Sequence, residues 1–117
     1  MTNYLEILRN EFEAGEGSFL IQIRPDLTWN KSSFSRLVLA MKHCCEEHST
    51  QEKVDRWMAS GFYELSIFVR EWTTHPNFPR PYSPVYYEKA YQRLDDLAHW
   101  FFHGESPFLD GKGFDEI

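Results

Sequence analysis

The sequence predicts an all-α fold, a compact bundle of three to four helices that carries one short extended arm. Three stretches support this prediction, because apolar residues recur in each of them every three or four positions, as on one face of a helix. These stretches cover about residues 31–48, 50–74 and 84–103. At 117 residues the chain has the ordinary size of one domain, so we expect residues 1–117 to share a single core.

A short helix is predicted near the start of the chain. Leu5, Leu8 and Phe12 follow helical spacing, and Gly15 and Gly17 end the pattern. A helix of this length is marginal in water. We therefore expect it to dock on the rest of the bundle.

Residues 18–24 are predicted to form the short extended arm. Apolar residues alternate at Phe19, Ile21 and Ile23, and branched side chains favour extended backbone. The residue before Pro25 is also pushed towards extended geometry. Since the sequence offers no clear second strand, the arm either packs alone or presents an edge to another molecule.

The middle of the chain is predicted to form a tight αα-hairpin from helices at about 31–48 and 50–74. Ser49 and Glu52 match a capping box, in which the serine caps an amide of the helix and the glutamate bonds back to the serine. Almost no residues would then separate the two helices, which favours antiparallel neighbours. Gly61 lies on the apolar stripe of the second helix, so we expect it to permit close approach of another helix, with a kink as the alternative.

The last predicted helix has clear signals at both ends. Ser83 is a favoured capping residue, Pro84 suits the first helical position, and Gly104 suits the end. The three prolines within residues 73–82 predict a stiff, non-helical connector before this helix. The glycine-rich, acidic residues 110–117 are expected to fray.

Charge and cysteine content limit the classes of partner and compartment. The net charge is −6, and the twelve Lys and Arg residues are scattered. Binding to nucleic acid or to a membrane normally uses a concentrated basic surface, so we expect neither, whereas a basic protein partner is compatible. The adjacent Cys44 and Cys45 are expected to be reduced thiols, one packed inward and one nearer the surface. Without an apolar leader-like run at the start, we expect a cytoplasmic protein.

The aromatic content is high, at 17%, with ten Phe, six Tyr and four Trp. Rings of this size are hard to hide in one small core, so some are expected at an interface, with a wide core rimmed by rings as the alternative. The proline-rich connector presents Phe78, Arg80 and Tyr82, which are predicted partner-binding residues unless they simply cap the bundle. Trp100 and Phe102 are predicted partner-binding residues for a similar reason. Three consecutive rings at 100–102 span about 200° of a helix, so at least one leaves the main core face.

Two weaker patterns would support a metal site or a reactive thiol. Asp95, His99 and His103 recur every four residues on the last helix and would suit a divalent transition metal such as zinc, although a solvated stripe explains them as well. Cys44 and His48 have the same spacing, and a nearby imidazolium activates a thiol. The ordinary interpretation of this pair is a buried cysteine beside an exposed histidine.

The functional prediction is a non-enzymatic protein-interaction module, of the inhibitor, immunity or accessory type, that needs no cofactor. It depends on the acidity, the excess of rings, and the absence of the glycine-rich and nucleophile motifs of common enzymes. Homodimerisation through residues 100–103 is equally compatible. The alternative is a helical metal-binding enzyme or sensor that uses Asp95, His99 and His103.

Overall fold

The computed structural model of the chain describes residues 3–108 and is all-helical there, which confirms the predicted fold class. The five helices are α1 (Tyr4–Phe12), α2 (Phe19–Ile23), α3 (Lys31–His48), α4 (Arg56–Thr73) and α5 (Pro84–His103). The tail that was expected to fray, 110–117, lies outside the described residues. None of the helices in the described part of the chain is long and apolar enough to cross a membrane.

The predicted extended arm is wrong, because residues 19–23 form the short helix α2. The hydroxyl of Ser18 accepts a hydrogen bond from the backbone N–H of Ile21, at 3.1 Å, and so caps this helix. Phe19 and Ile23 are both fully buried, one helical turn apart. Their spacing fits an alternating pattern and a helical one equally, and the serine cap decides between them.

The predicted capping box at Ser49 is also wrong, since α4 begins only at Arg56, after Asp55. The Ser49 hydroxyl instead donates back to the carbonyl of Glu46 at the end of α3, at 3.4 Å. Residues 49–55 therefore form a connection long enough to carry α4 away from α3. The backbones of these two helices make no close approach, so they do not form the tight αα-hairpin that was expected.

Helix α5 lies between α3 and α4 and packs against both. Phe62 near the start of α4 stacks on Phe101 near the end of α5, and Thr73 at the end of α4 is hydrogen-bonded to Tyr91 in the middle of α5. The two helices are therefore antiparallel. The predicted limits of α5 are confirmed, because Ser83 caps its start and Gly104 adopts a left-handed φ of 75° at its end.

The described residues share one apolar core, to which all five helices contribute. Most of the rings in it are buried, and Trp29 stands at the centre of one aromatic group that includes Phe19, Phe34 and Tyr87. The expected close approach at Gly61 is confirmed, because the ring of Phe12 lies against this glycine and docks α1 on α4. A wide core with rings at its rim accounts for most of the aromatic excess.

Candidate functional site

The proline-rich connector covers one end of the bundle. The side chain of Phe78 is only 5% exposed, so it is part of the core and is not available as an anchor for a partner. The guanidinium of Arg80 lies 4.4 Å from the ring centroid of Tyr87, and the half-buried Tyr82 packs beside Tyr86 and Tyr87. These contacts favour the capping interpretation of the segment, with Arg80 left exposed at its surface.

The three consecutive rings of α5 have separate environments. Trp100 is 9% exposed and buried, and Phe101 stacks on Phe62 at a centroid distance of 4.2 Å. Phe102 is half exposed, so it is the ring that leaves the core face. Of the two partner-binding residues predicted on α5, the structure leaves Phe102 accessible and buries Trp100.

Phe102 shares its side of the molecule with two residues of α4 that sequence reasoning missed. Each residue of an α-helix is turned by about 100° from the one before it. Where two antiparallel helices face each other at one residue pair, the next residue of each helix therefore points to the same side of the helix pair. Because Phe62 faces Phe101, the next residues, Tyr63 and Phe102, lie on the same side. Ile67 follows Tyr63 by one helical turn, and all three side chains are exposed. We call Tyr63, Ile67 and Phe102 the α4–α5 face.

The predicted metal ligands are not gathered into one site. The carboxylate of Asp95 is held by the guanidinium of Arg70 at 2.9 Å, across the junction of α4 and α5. The rings of His99 and His103 are neighbours, with centroids 4.4 Å apart. Within residues 3–108, no group of three or more His, Cys, Asp or Glu side chains is placed to hold a metal ion. The two histidines alone leave a zinc site without its third protein ligand.

The two cysteines are both buried, which corrects the expectation that one lies nearer the surface. Burial, with a smaller contribution from the charge of Asp55, raises the pKa of the Cys44 thiol to about 12. Burial also raises the pKa of Cys45. The Sγ of Cys44 lies 3.8 Å from Nδ1 of His48 and 3.8 Å from Sδ of Met58. A thiol with a raised pKa is a poor nucleophile, so this geometry argues against activation by His48.

A groove lies between α2 and α4 and is bounded at one end by the last residues of α1. Its volume is about 370 Å³, which is within the usual range of small-ligand pockets. Its lining is mainly apolar: Phe12, Ala14, Leu20, Ile21, Pro25, Gly61, Leu65 and Phe68, with Glu13, Arg24 and Glu64 as the charged members.

In the part of the chain that the structure describes, the α4–α5 face and this groove are therefore two surfaces that offer accessible apolar atoms beside charged groups. Neither includes a residue of the proline-rich connector, and only Phe102 was predicted from the sequence. No protein family, curated protein or solved structure matches this chain.

Proposed function

We propose that this chain is a non-enzymatic module of the cytoplasm that binds another protein through the α4–α5 face. The observation that carries the proposal is the exposure of three large apolar side chains on one side of an antiparallel helix pair. Tyr63 is 62% exposed, Ile67 is 42% exposed and Phe102 is 50% exposed. Aromatic side chains are the most frequent anchors of protein interfaces, and an exposed apolar group of this kind is typical of them.

Polar groups beside the face support the same proposal. The ion pair between Arg70 and Asp95 lies one helical turn beyond Ile67 and bridges α4 and α5. An apolar centre with charged groups at its rim is the usual composition of a protein interface. The buried stacking of Phe62 on Phe101 packs the two helices together, so the face is formed before a partner arrives, which lowers the entropic cost of binding.

The net charge gives the class of partner. At −6 the chain repels acidic proteins and attracts basic ones at long range, which raises the association rate with a basic partner. An inhibitor, an immunity protein or an accessory subunit of a basic protein would all use such a surface. We therefore favour a partner that presents an apolar patch surrounded by Lys and Arg residues.

Site-specific photocrosslinking in the host cell tests this proposal. A photoreactive phenylalanine analogue replaces Tyr63 in one variant and Val85 in a control variant. Val85 is matched in exposure, at 61%, but lies at the start of α5, at the other end of that helix from Phe102. We expect a discrete protein adduct from position 63 and none from position 85.

A second substitution makes the crosslinking result specific. Phe102→Glu places a charge on the face, and we expect it to abolish the adduct formed from position 63. An adduct of twice the chain mass would identify a second copy of this chain as the occupant, as the homodimer prediction has it. Equal adducts from positions 63 and 85, or an adduct that persists with Phe102→Glu, would contradict the assignment of this face.

A further inference from the structure

The groove between α2 and α4 has a positively charged group at one end. The guanidinium of Arg24 lies 4.6 Å from the ring centroid of Trp72 and 5.5 Å from that of Phe68. Both rings lie against the guanidinium of this otherwise exposed residue. Among residues 3–108, Arg24 forms no ion pair with a carboxylate. Arg24 thus lines the groove without an anionic partner from the described chain.

The apolar part of the groove extends away from Arg24 towards α1. Gly61, against which Phe12 packs, and Phe68, beneath Arg24, are seven residues apart on α4. At about 1.5 Å per residue this separation is about 10 Å. Leu20 and Ile21 of α2 form the opposite wall. The groove is thus a short apolar trough with a guanidinium at one end and aromatic and aliphatic side chains along its length.

We propose that this groove binds a small apolar carboxylate, with the carboxylate on Arg24 and the apolar chain lying between α2 and α4 towards Phe12. A planar guanidinium accepts a carboxylate through two parallel N–H···O hydrogen bonds, which are stronger than hydrogen bonds between neutral groups. Because the rings of Phe68 and Trp72 already hold the guanidinium, little side-chain entropy is lost on binding. The groove volume and its length of about 10 Å suit a free ligand of intermediate chain length.

Two carboxylates near the groove affect the binding of an anion. Glu13 is engaged by Arg9 at 3.3 Å, so its charge is partly compensated. Glu64 forms no ion pair within the described part of the chain, and it lies one helical turn before Phe68. It repels a bound anion but attracts a bound cation. Neutralising Glu64 should therefore tighten the binding of an anionic ligand on Arg24.

Calorimetric titration of the full chain with octanoate at neutral pH tests the proposal, with octanol as the neutral probe. We expect octanoate to bind about tenfold more tightly than octanol, because the charged carboxylate can accept two N–H bonds from Arg24 whereas the hydroxyl is a neutral acceptor. Arg24→Gln should remove this difference and weaken octanoate binding about tenfold. Arg80→Gln is the matched control, since Arg80 also lies over a ring, that of Tyr87, but at a different site. We expect it to leave both affinities unchanged.

Glu64→Gln provides a second test that does not depend on Arg24, and we expect it to tighten octanoate binding. Equal affinities for octanoate and octanol would overturn the proposal, as would octanoate failing to bind. Weaker octanoate binding by Glu64→Gln would also overturn it, because an anion on Arg24 should be repelled less once the charge of Glu64 is removed. The groove lies on a different side of α4 from Tyr63 and Ile67, so these results are independent of the photocrosslinking outcome.

Discussion

The ring of Phe12, at the C-terminal end of α1, occupies the space that a Cβ atom on Gly61 of α4 would need. The same ring makes edge-on contacts with Phe62 and Trp57 of α4. Gly61 is therefore the position of α4 against which the end of α1 docks. Phe12 belongs both to the last turn of α1 and to the lining of the groove between α2 and α4, so both depend on this contact.

Gly61→Ala is expected to lower the free energy of unfolding by about 1–3 kcal/mol, although alanine is the better helix former. The added methyl group forces the ring of Phe12 off α4. In a Phe12→Ala background the ring is gone, so Gly61→Ala should be neutral or stabilising by about 1 kcal/mol. Urea denaturation of the four proteins of this cycle measures both effects.

Ser60→Ala, at an exposed neighbouring position of α4, is the control for the Gly61→Ala measurement. A cost of Gly61→Ala that is the same with and without Phe12 would show that the ring is not its cause.

The buried carboxylate of Glu11 links three helices. It accepts hydrogen bonds from the backbone N–H of Phe19 at 2.8 Å and from the guanidinium of Arg36 at 3.1 Å. Burial raises the pKa of Glu11, and the hydrogen bonds from Phe19 and Arg36 offset part of that rise. The folded state therefore binds this proton more tightly than the unfolded state does.

Stability should consequently depend on pH through Glu11 in a defined direction. Protonation of Glu11 contributes to the free energy of unfolding. This contribution is fully present below the pKa of the unfolded state, near 4.5, and is lost as the pH rises through the higher pKa of the folded state. Compared with Glu11→Gln, which cannot titrate, the wild-type protein should gain stability as the pH falls from about 7 to about 4.5. Glu13→Gln, which removes an exposed carboxylate from the end of the same helix, is the control. Urea midpoints at several pH values give the comparison, and a difference that is flat or of opposite slope would refute it.

The helices whose limits were predicted correctly have local signals at their ends that agree with their apolar spacing. Asn30 caps α3, and Ser83, Pro84 and Gly104 delimit α5. Helix α2 was missed because five residues fit two periodicities equally. The start of α4 was missed because the capping sequence at Ser49 is not used: the Ser49 hydroxyl bonds back to Glu46 of α3, and the Ser49 carbonyl lies close to the backbone of Gly104.

The candidate sites were harder to predict than the helices, for a physical reason. Tyr63 and Ile67 lie off the apolar stripe of α4, but nothing in the sequence shows that they share a side of the molecule with Phe102 of α5. Phe78 and Trp100 look like anchors in the sequence but are buried by contacts from distant segments. Arg24 follows α2 directly, and its guanidinium lies over Trp72 of α4, a contact that the predicted extended arm did not indicate.

The buried thiols should be inert in the native protein. Because burial raises the pKa of Cys44 to about 12, with a smaller contribution from Asp55, the thiolate that attacks alkylating reagents is scarce at neutral pH. We expect iodoacetamide to modify Cys44 and Cys45 only after urea unfolds the chain, as measured by mass spectrometry. Rapid alkylation of Cys44 in the folded protein would instead indicate activation by His48.

The raised pKa of the buried thiols also links stability to pH. The thiols of the unfolded chain titrate near 9.0, so the free energy of unfolding should fall as the pH rises above that value.

The hydrogen bond from the indole N–H of Trp29 to the hydroxyl of Tyr86, at 2.9 Å, joins the α2–α3 connection to α5 inside the core. Both side chains are buried. Tyr86→Phe keeps the ring but removes the acceptor, which leaves a buried donor unsatisfied and should cost about 1–3 kcal/mol of the free energy of unfolding. Tyr63→Phe removes an exposed hydroxyl and should change stability by less than about 0.5 kcal/mol. In a Trp29→Phe background no donor remains, so Tyr86→Phe should cost less there than in the wild-type protein. An equal cost in both backgrounds, measured by urea denaturation, would mean that the hydroxyl stabilises the core through a contact other than Trp29.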